Sequence, residues 1–201
     1  VSVWPAGGIT PTGFAERLHP GYGSGNFSVM WEGGVVGNVA MAAVDIVYLY
    51  PFRIYAPLTI TTLYQRVETL GAGSAVKSAV WANNYSTGRP TGLPLLGQNA
   101  GFDTTTNGIK PAPISSVRLE AGVYWGGSKA TGTLPMMTQI NAADSSGNVA
   151  SPTAQMGTSV EPVGFSVPDA YANDIMALDL TAATFTLVAA SRIPVIGLGW
   201  A

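Results

Sequence analysis

The chain has 201 residues, 11 of them acidic and 9 basic, for a net charge of −2, and it has no cysteine. One domain accounts for this length. Disulfide scaffolds and thiolate metal sites are excluded, and nine scattered basic residues do not make the cationic face that duplex nucleic acid requires. Only 10% of residues are charged, against about 25% in an ordinary soluble domain. Ser, Thr, Asn and Gln must therefore cover the surface, as suits a protein held in a stable assembly or exposed to the outside. No stretch of about 18 uninterrupted apolar residues occurs, so no membrane insertion is expected. No charged start followed by an apolar run opens the chain, so no signal peptide is expected.

Residues 1–43 read as an extended, Gly-rich N-terminal arm. Nine Gly fall between Gly7 and Gly37, with Pro5, Pro11 and Pro20 among them. Such density punctuates helix and strand alike; one short strand is expected around Phe27–Trp31. Trp4, Phe14, Tyr22, Phe27 and Trp31 would be wasted on a solvated linker. They are expected to pack on the main domain or on a neighbouring subunit, as an assembly arm.

From residue 44 the pattern changes. Ile46–Tyr55 (IVYLYPFRIY), Leu58–Leu70 (LTITTLYQRVETL) and Ala75–Trp81 (AVKSAVW) are rich in β-branched and aromatic residues, which favour a pleated, half-buried surface. Pro51 implies a bulge or an edge position. Clusters such as Gly71-Ala-Gly-Ser74 and Asn83-Asn84 close the runs. Asn107-Gly108 is a hairpin signal. Further strands are expected at Ile114–Leu119, Gly122–Gly126, Leu134–Ile140, Pro162–Ser166, Thr184–Ala189 and Ile193–Leu198. In Gly122–Gly126 side chains alternate between faces, so one of Tyr124 and Trp125 is expected to be buried and the other exposed. Residues 141–161 read as a long polar loop. Tyr171–Leu180 reads either as two helical turns capped by Asn173 or as loop followed by strand. Short strands with regular turn signals imply an all-β fold. The expectation is a β-sandwich, jelly-roll-like, over 44–201, carrying the arm 1–43.

Catalytic chemistry is poorly supplied. The single histidine, His19, lies in a Gly-Pro setting, and no G-x-S-x-G elbow is present. Asp169, Asp174 and Asp179 are spaced by five, which one helical face does not align, and they read as solvated or capping carboxylates. Gly21-Tyr-Gly23-Ser-Gly25 is not a dinucleotide fingerprint. No enzyme activity, metal or cofactor is expected.

One ordered set of motifs stands out between about Val44 and Ser128. It comprises Trp81-Ala82-Asn83-Asn84, then Gly88-Arg89-Pro90, then Asp103-Thr104-Thr105-Thr106-Asn107-Gly108, then Leu119-Glu120-Ala121-Gly122-Val123-Tyr124-Trp125. This order resembles a β-sandwich module that recurs in tail-fibre and other appendage proteins of tailed bacteriophages. There a "YADN" turn precedes "G-P-G" or "G-R-P", then "D-T-S-T-x-G", then "L-x-P-G-x-Y-W". Ala121 stands where the family has Pro, and Trp81 where Tyr is more usual. The resemblance implies a virion protein, assembled in the bacterial host cytoplasm, of a tail or head appendage, with a role in particle assembly or host attachment. It implies a homotrimer in contact with other virion proteins, and it brings no shared catalytic residues.

Two functions fit these expectations. In the first the module binds a host cell-surface glycan or protein, through Trp81, Asn83, Asn84, Tyr85, Arg89 and Trp125, since aromatic faces stack on sugar rings and polar groups fix orientation. The competing reading of the same residues makes both indoles core and the rest turn formers. In the second function the protein is a purely structural decoration or tail-tip component that docks by its arm. A polysaccharide depolymerase is the least supported alternative.

Overall fold

The computed structural model of the chain describes residues 27–29, 36–54, 57–140, 164–188 and 193–200. Their regular structure is strands, numbered β1 to β13, and a 3-10 turn at Ile175–Ala177. The fold is all-β, a sandwich of two antiparallel sheets. One sheet has seven strands. At its centre lies β4 (Leu58–Thr69), with β7 (Gly108–Leu119) on one side and β13 (Gly197–Trp200) and β9 (Met136–Ile140) on the other. Beyond these lie β1 (Phe27–Val29) on β13, and β2 (Val36–Ala40) and β12 (Ile193–Pro194) on β9. The second sheet has six strands. Its order is β11 (Thr186–Val188), β10 (Gly164–Pro168), β3 (Ile46–Ile54), β8 (Gly122–Thr131), β5 (Ala75–Asn84), β6 (Arg89–Asp103).

The sequence of β4 shows how pattern becomes register. Leu63, Gln65 and Val67 alternate inward, but Ile60 is out of step with them. A bulge between Ile60 and Thr62 in the pairing with β7 absorbs the extra residue. Strand β3 instead reads as one apolar run because both of its faces are covered. Tyr48, Tyr50, Phe52 and Ile54 point into the core between the sheets, while Val47 and Leu49 belong to a second core outside. Pro51 lies past the end of β10, which pairs β3 only from Ile46 to Leu49. There, among the described residues, β3 has β8 as its one neighbour, and a missing N–H is tolerated.

The inner core joins β3, β5, β6 and β8 to β4, β7, β9 and the chain end, where Val195, Ile196 and Leu198 are buried. The Tyr50 hydroxyl crosses it, accepting from Ile196 N (2.9 Å) and facing Ile196 O (3.3 Å). Burial pushes its pKa well above the usual tyrosine value, against the smaller effect of the Ile196 contact. Two glycines of β8 make room for rings. A Cβ on Gly126 would sit 2.8 Å from the Tyr50 ring, and one on Gly127 would sit 2.8 Å from the Trp81 ring.

Three expectations change. Asn107-Gly108 does not close a hairpin: β6 pairs with β5, and β7 pairs with β4 in the other sheet. The chain crosses between sheets here, with Asp103 Oδ1 accepting from Thr105 N (2.8 Å) and Gly108 at φ 113°. Next, Tyr171–Leu180 contains one 3-10 turn, and its cap is Asp174, not Asn173; Asp174 Oδ1 accepts from Met176 N at 2.8 Å. Finally, β1 and β2 are hydrogen-bonded strands of the seven-stranded sheet, so residues 27–29 and 36–40 belong to the sandwich. Phe27 starts β1; Trp4, Phe14, His19, Tyr22, Trp31 and residues 141–161, expected to be a loop, lie outside the described residues.

Candidate functional site

Three of the four motif stretches meet at one end of the six-stranded sheet. Trp81 is the register partner of Trp125, and Ala82 of Tyr124. Across the other edge of β5, Asn83 pairs with Pro90 and Asn84 with Arg89. The Asp103–Gly108 stretch lies at the opposite end of β5, where Asp103 pairs with Ala75.

The loop Tyr85–Gly88 that joins β5 to β6 is built by Asn84 and Gly88. The Asn84 carbonyl accepts from Thr87 N (3.2 Å) and Gly88 N (2.7 Å), and its side chain accepts from Ser86 N (2.9 Å). Gly88 closes the loop at φ 65°, a conformation that costs a residue with a Cβ about 1 kcal/mol. Asn84 is thus a turn former, as its residue type favours.

Both indoles are core. Trp81 is 0% and Trp125 1% exposed. Trp81 Nε1 donates to Leu178 O (3.2 Å), and Trp125 Nε1 donates to Asn83 Oδ1 (2.9 Å). The expectation that these two present ring faces to a ligand is corrected by their burial: they sit on the outer face of the sheet, but the segment 169–185 covers that face. Asn83 is committed to holding Trp125. Tyr124 points to the opposite face of β8, half-buried, its ring stacked on Phe52 at 6.0 Å. Its hydroxyl donates to Glu120 O at 2.8 Å. Burial first, and then the neighbouring Tyr85, raise its pKa above the usual tyrosine value.

Tyr85 and Arg89 are the exposed members of the set. Tyr85 is 75% exposed. Its hydroxyl accepts from Val123 N at 3.1 Å, over Gly122, where a Cβ would come within 2.8 Å of it. Gly122 therefore lets the ring be anchored at its tip while its faces stay in solvent. The Arg89 guanidinium stands 5.7 Å from the Phe165 ring centroid and 5.9 Å from that of Phe185, within cation–π range. Phe165 in turn packs on Trp125 at 5.2 Å. Arg118 and Glu120 form an exposed ion pair (2.8 Å) just before β8. The tip thus holds one anchored, exposed aromatic ring, with Arg89 exposed over the Phe165 and Phe185 rings.

No protein-family model and no curated protein matches this chain. No group of three or more His, Cys, Asp or Glu able to hold a metal occurs among the described residues. A cleft of about 260 Å³ lies between β6 and β7, lined by Gln98, Phe102, Asp103, Lys110, Pro111 and Pro113 among others. It is smaller than the roughly 300–1,000 Å³ usual for small-molecule sites. Its polar groups have local partners: Gln98 Oε1 accepts from Gly101 N (2.9 Å), and Lys110 bonds to Thr106.

The sequence reading missed the charged underside of the 169–185 segment. Lys77 and Lys129 are buried on the outer face of the sheet, and Asp169 is an ion-pair partner there. The available signal was parity: both lysines share it with Trp81 and Trp125.

Proposed function

We propose that the chain is a structural protein of a tailed-bacteriophage appendage, in tail or head, whose β5–β6 tip contributes to host attachment. What supports this is the meeting of three of the four phage-like motif stretches at one end of the sheet, with Tyr85 held out on their surface. Trp81, Asn83, Asn84, Gly88 and Trp125 form the rigid base. Tyr85 is the contact ring, and Arg89 is a second exposed group, over the Phe165 and Phe185 rings. Aromatic rings of this kind supply large contact area with little entropy to lose. The ligand class is a host-surface glycan or a protein bearing one. In this reading the protein is non-enzymatic.

The test is binding of the purified protein to arrayed bacterial surface polysaccharides, beside Tyr85→Ala. Wild type should bind at least one glycan, and Tyr85→Ala should lose that binding at unchanged melting temperature. Silence across the array, or binding indifferent to Tyr85, would sink the attachment role.

Burial of both indoles favours a second reading, a decoration or tail-tip component without receptor binding. Exposed Leu93 and Leu95 on β6, and Leu187 on β11, lie on the two outer strands of the six-stranded sheet. Contact with sister subunits in a homotrimer, or with other virion proteins, would cover such surface. Light scattering distinguishes the cases: the trimer predicts threefold mass at micromolar concentration, and a stable monomer contradicts it.

A further inference from the structure

Lys77 and Lys129 face each other directly in the β5–β8 ladder. Like charges so placed repel, and here both are buried, Lys129 completely. Almost everything that compensates them comes from one segment, Asp169–Leu180. Lys129 Nζ donates to the Asp169 carboxylate, to Ala170 O (2.9 Å) and to Asn173 O (3.1 Å). Lys77 Nζ donates to Tyr171 O (2.8 Å) and Asn173 O (3.0 Å) and lies 4.6 Å from the Tyr171 ring centroid. Asp169 Oδ1 also accepts from Asn173 Nδ2 (2.7 Å), which ties the turn together.

The remaining fastenings are few. Asp45, in a left-handed conformation (φ 59°), accepts from Tyr171 N (2.6 Å) through its carboxylate and from Asp169 N (2.9 Å) through its carbonyl. Asn99 Oδ1 accepts from Ile175 N (3.2 Å), Gly92 O from Leu180 N (2.9 Å), and Leu178 O from the Trp81 indole. Beneath lie Ala79, Trp81 and Trp125, against Ile175 and Leu180.

We propose that Asp169–Leu180 is a releasable strap, held shut by the charge of Asp169 and opened when that charge is lost. With Asp169 neutral, the two opposed ammoniums lose the one carboxylate that bonds to them directly, and an uncompensated buried charge is strongly unfavourable. The charged and titratable groups around the pair are Lys77 of β5, Lys129 of β8, Asp45 before β3, and Asp169, Tyr171 and Asp174 of the strap. Asp174 acts on Lys77 at a distance while capping its own turn. Burial, and then Lys129, lower the Lys77 pKa against the pull of Asp174 and Asp169. Opening would bare Trp81 and the lysine pair and leave the inner core intact, since none of the strap's residues belongs to it.

Hydrogen exchange of the full chain, followed by mass spectrometry, tests this. In Asp169→Asn at neutral pH, strap peptides should exchange at least about tenfold faster than in wild type. Peptides of β3, β5 and β8 should keep their protection. Unchanged strap protection in Asp169→Asn overturns the proposal, and so does an equal loss in the strap and β3. If that variant fails to fold, the double variant Lys129→Met with Asp169→Leu decides. Its strap should stay as protected as that of wild type at neutral pH, and strap exchange at least about tenfold faster than wild type overturns the proposal.

Discussion

The two faces of the six-stranded sheet are built from the same strands by opposite means. On β5, Val76, Ser78 and Val80 face inward while Lys77, Ala79 and Trp81 face outward; on β8, Ser128 and Ala130 face inward and Lys129 outward. The inner face meets another sheet. Its polar cluster is neutral: Gln65 Nε2 donates to Ser78 Oγ and Ser128 Oγ, both at 2.9 Å, and the hydroxyls are 2.8 Å apart. The outer face meets an irregular segment whose carbonyls have no ladder to join, and there ammonium groups do the joining. A sheet can satisfy its partner sheet with side-chain packing. A strap with free carbonyls needs donors, and lysines reaching up from below supply them.

Substitutions in the two layers should therefore differ in reach. Leu63→Ala, in the inner core, is expected to lower global stability by about 2–5 kcal/mol, read as a drop in denaturation midpoint with faster exchange everywhere. Ile175→Ala, equally buried but in the strap, removes a comparable local contribution of about 2–5 kcal/mol. Its effect should appear as strap exchange, with a much smaller shift of the global midpoint. Equal global shifts would erase the distinction between layers.

Tyr50→Phe probes the inner layer at smaller scale. It leaves Ile196 N and O without the hydroxyl, at a cost of about 1–3 kcal/mol. The pH dependence follows from the raised folded-state pKa. Below the ordinary tyrosine value of 10.0 the buried hydroxyl contributes fully. As pH rises above that, the unfolded chain ionises first and stability is lost. Wild-type stability should thus fall faster than that of Tyr50→Phe in the alkaline range, with the gap between them narrowing. A constant gap would contradict the burial of that hydroxyl. Asp174→Ala is the mildest change, removing the cap of the strap's 3-10 turn. It should cost the strap about 1 kcal/mol and leave the inner layer unchanged, as judged by β3 exchange.

The inner layer was legible in the sequence and the outer one was not. Alternation in Leu63-x-Gln65-x-Val67 and the two-sided run of β3 are direct imprints of sheet burial. A lysine within a strand, by contrast, reads as a solvent-facing position, because nothing local announces a strap that arrives 40 residues after Lys129 and 94 after Lys77. The same cover turned Trp81 and Trp125 from candidate ligand contacts into core. Asn107-Gly108 misled for a related reason: turn chemistry reports that the chain reverses, but not whether it returns to the same sheet. At the tip, Asn84 could be read as a turn former, since that role is set by the loop itself.

Graded denaturant with native-state hydrogen exchange on the wild-type chain tests the two-layer account most directly. It predicts that Ile175, Leu178 and Leu180 amides exchange through a local opening with little denaturant dependence, well below the free energy at which β3 and β8 amides exchange. A single exchange free energy and a single denaturant dependence shared by the strap and the inner strands would contradict it.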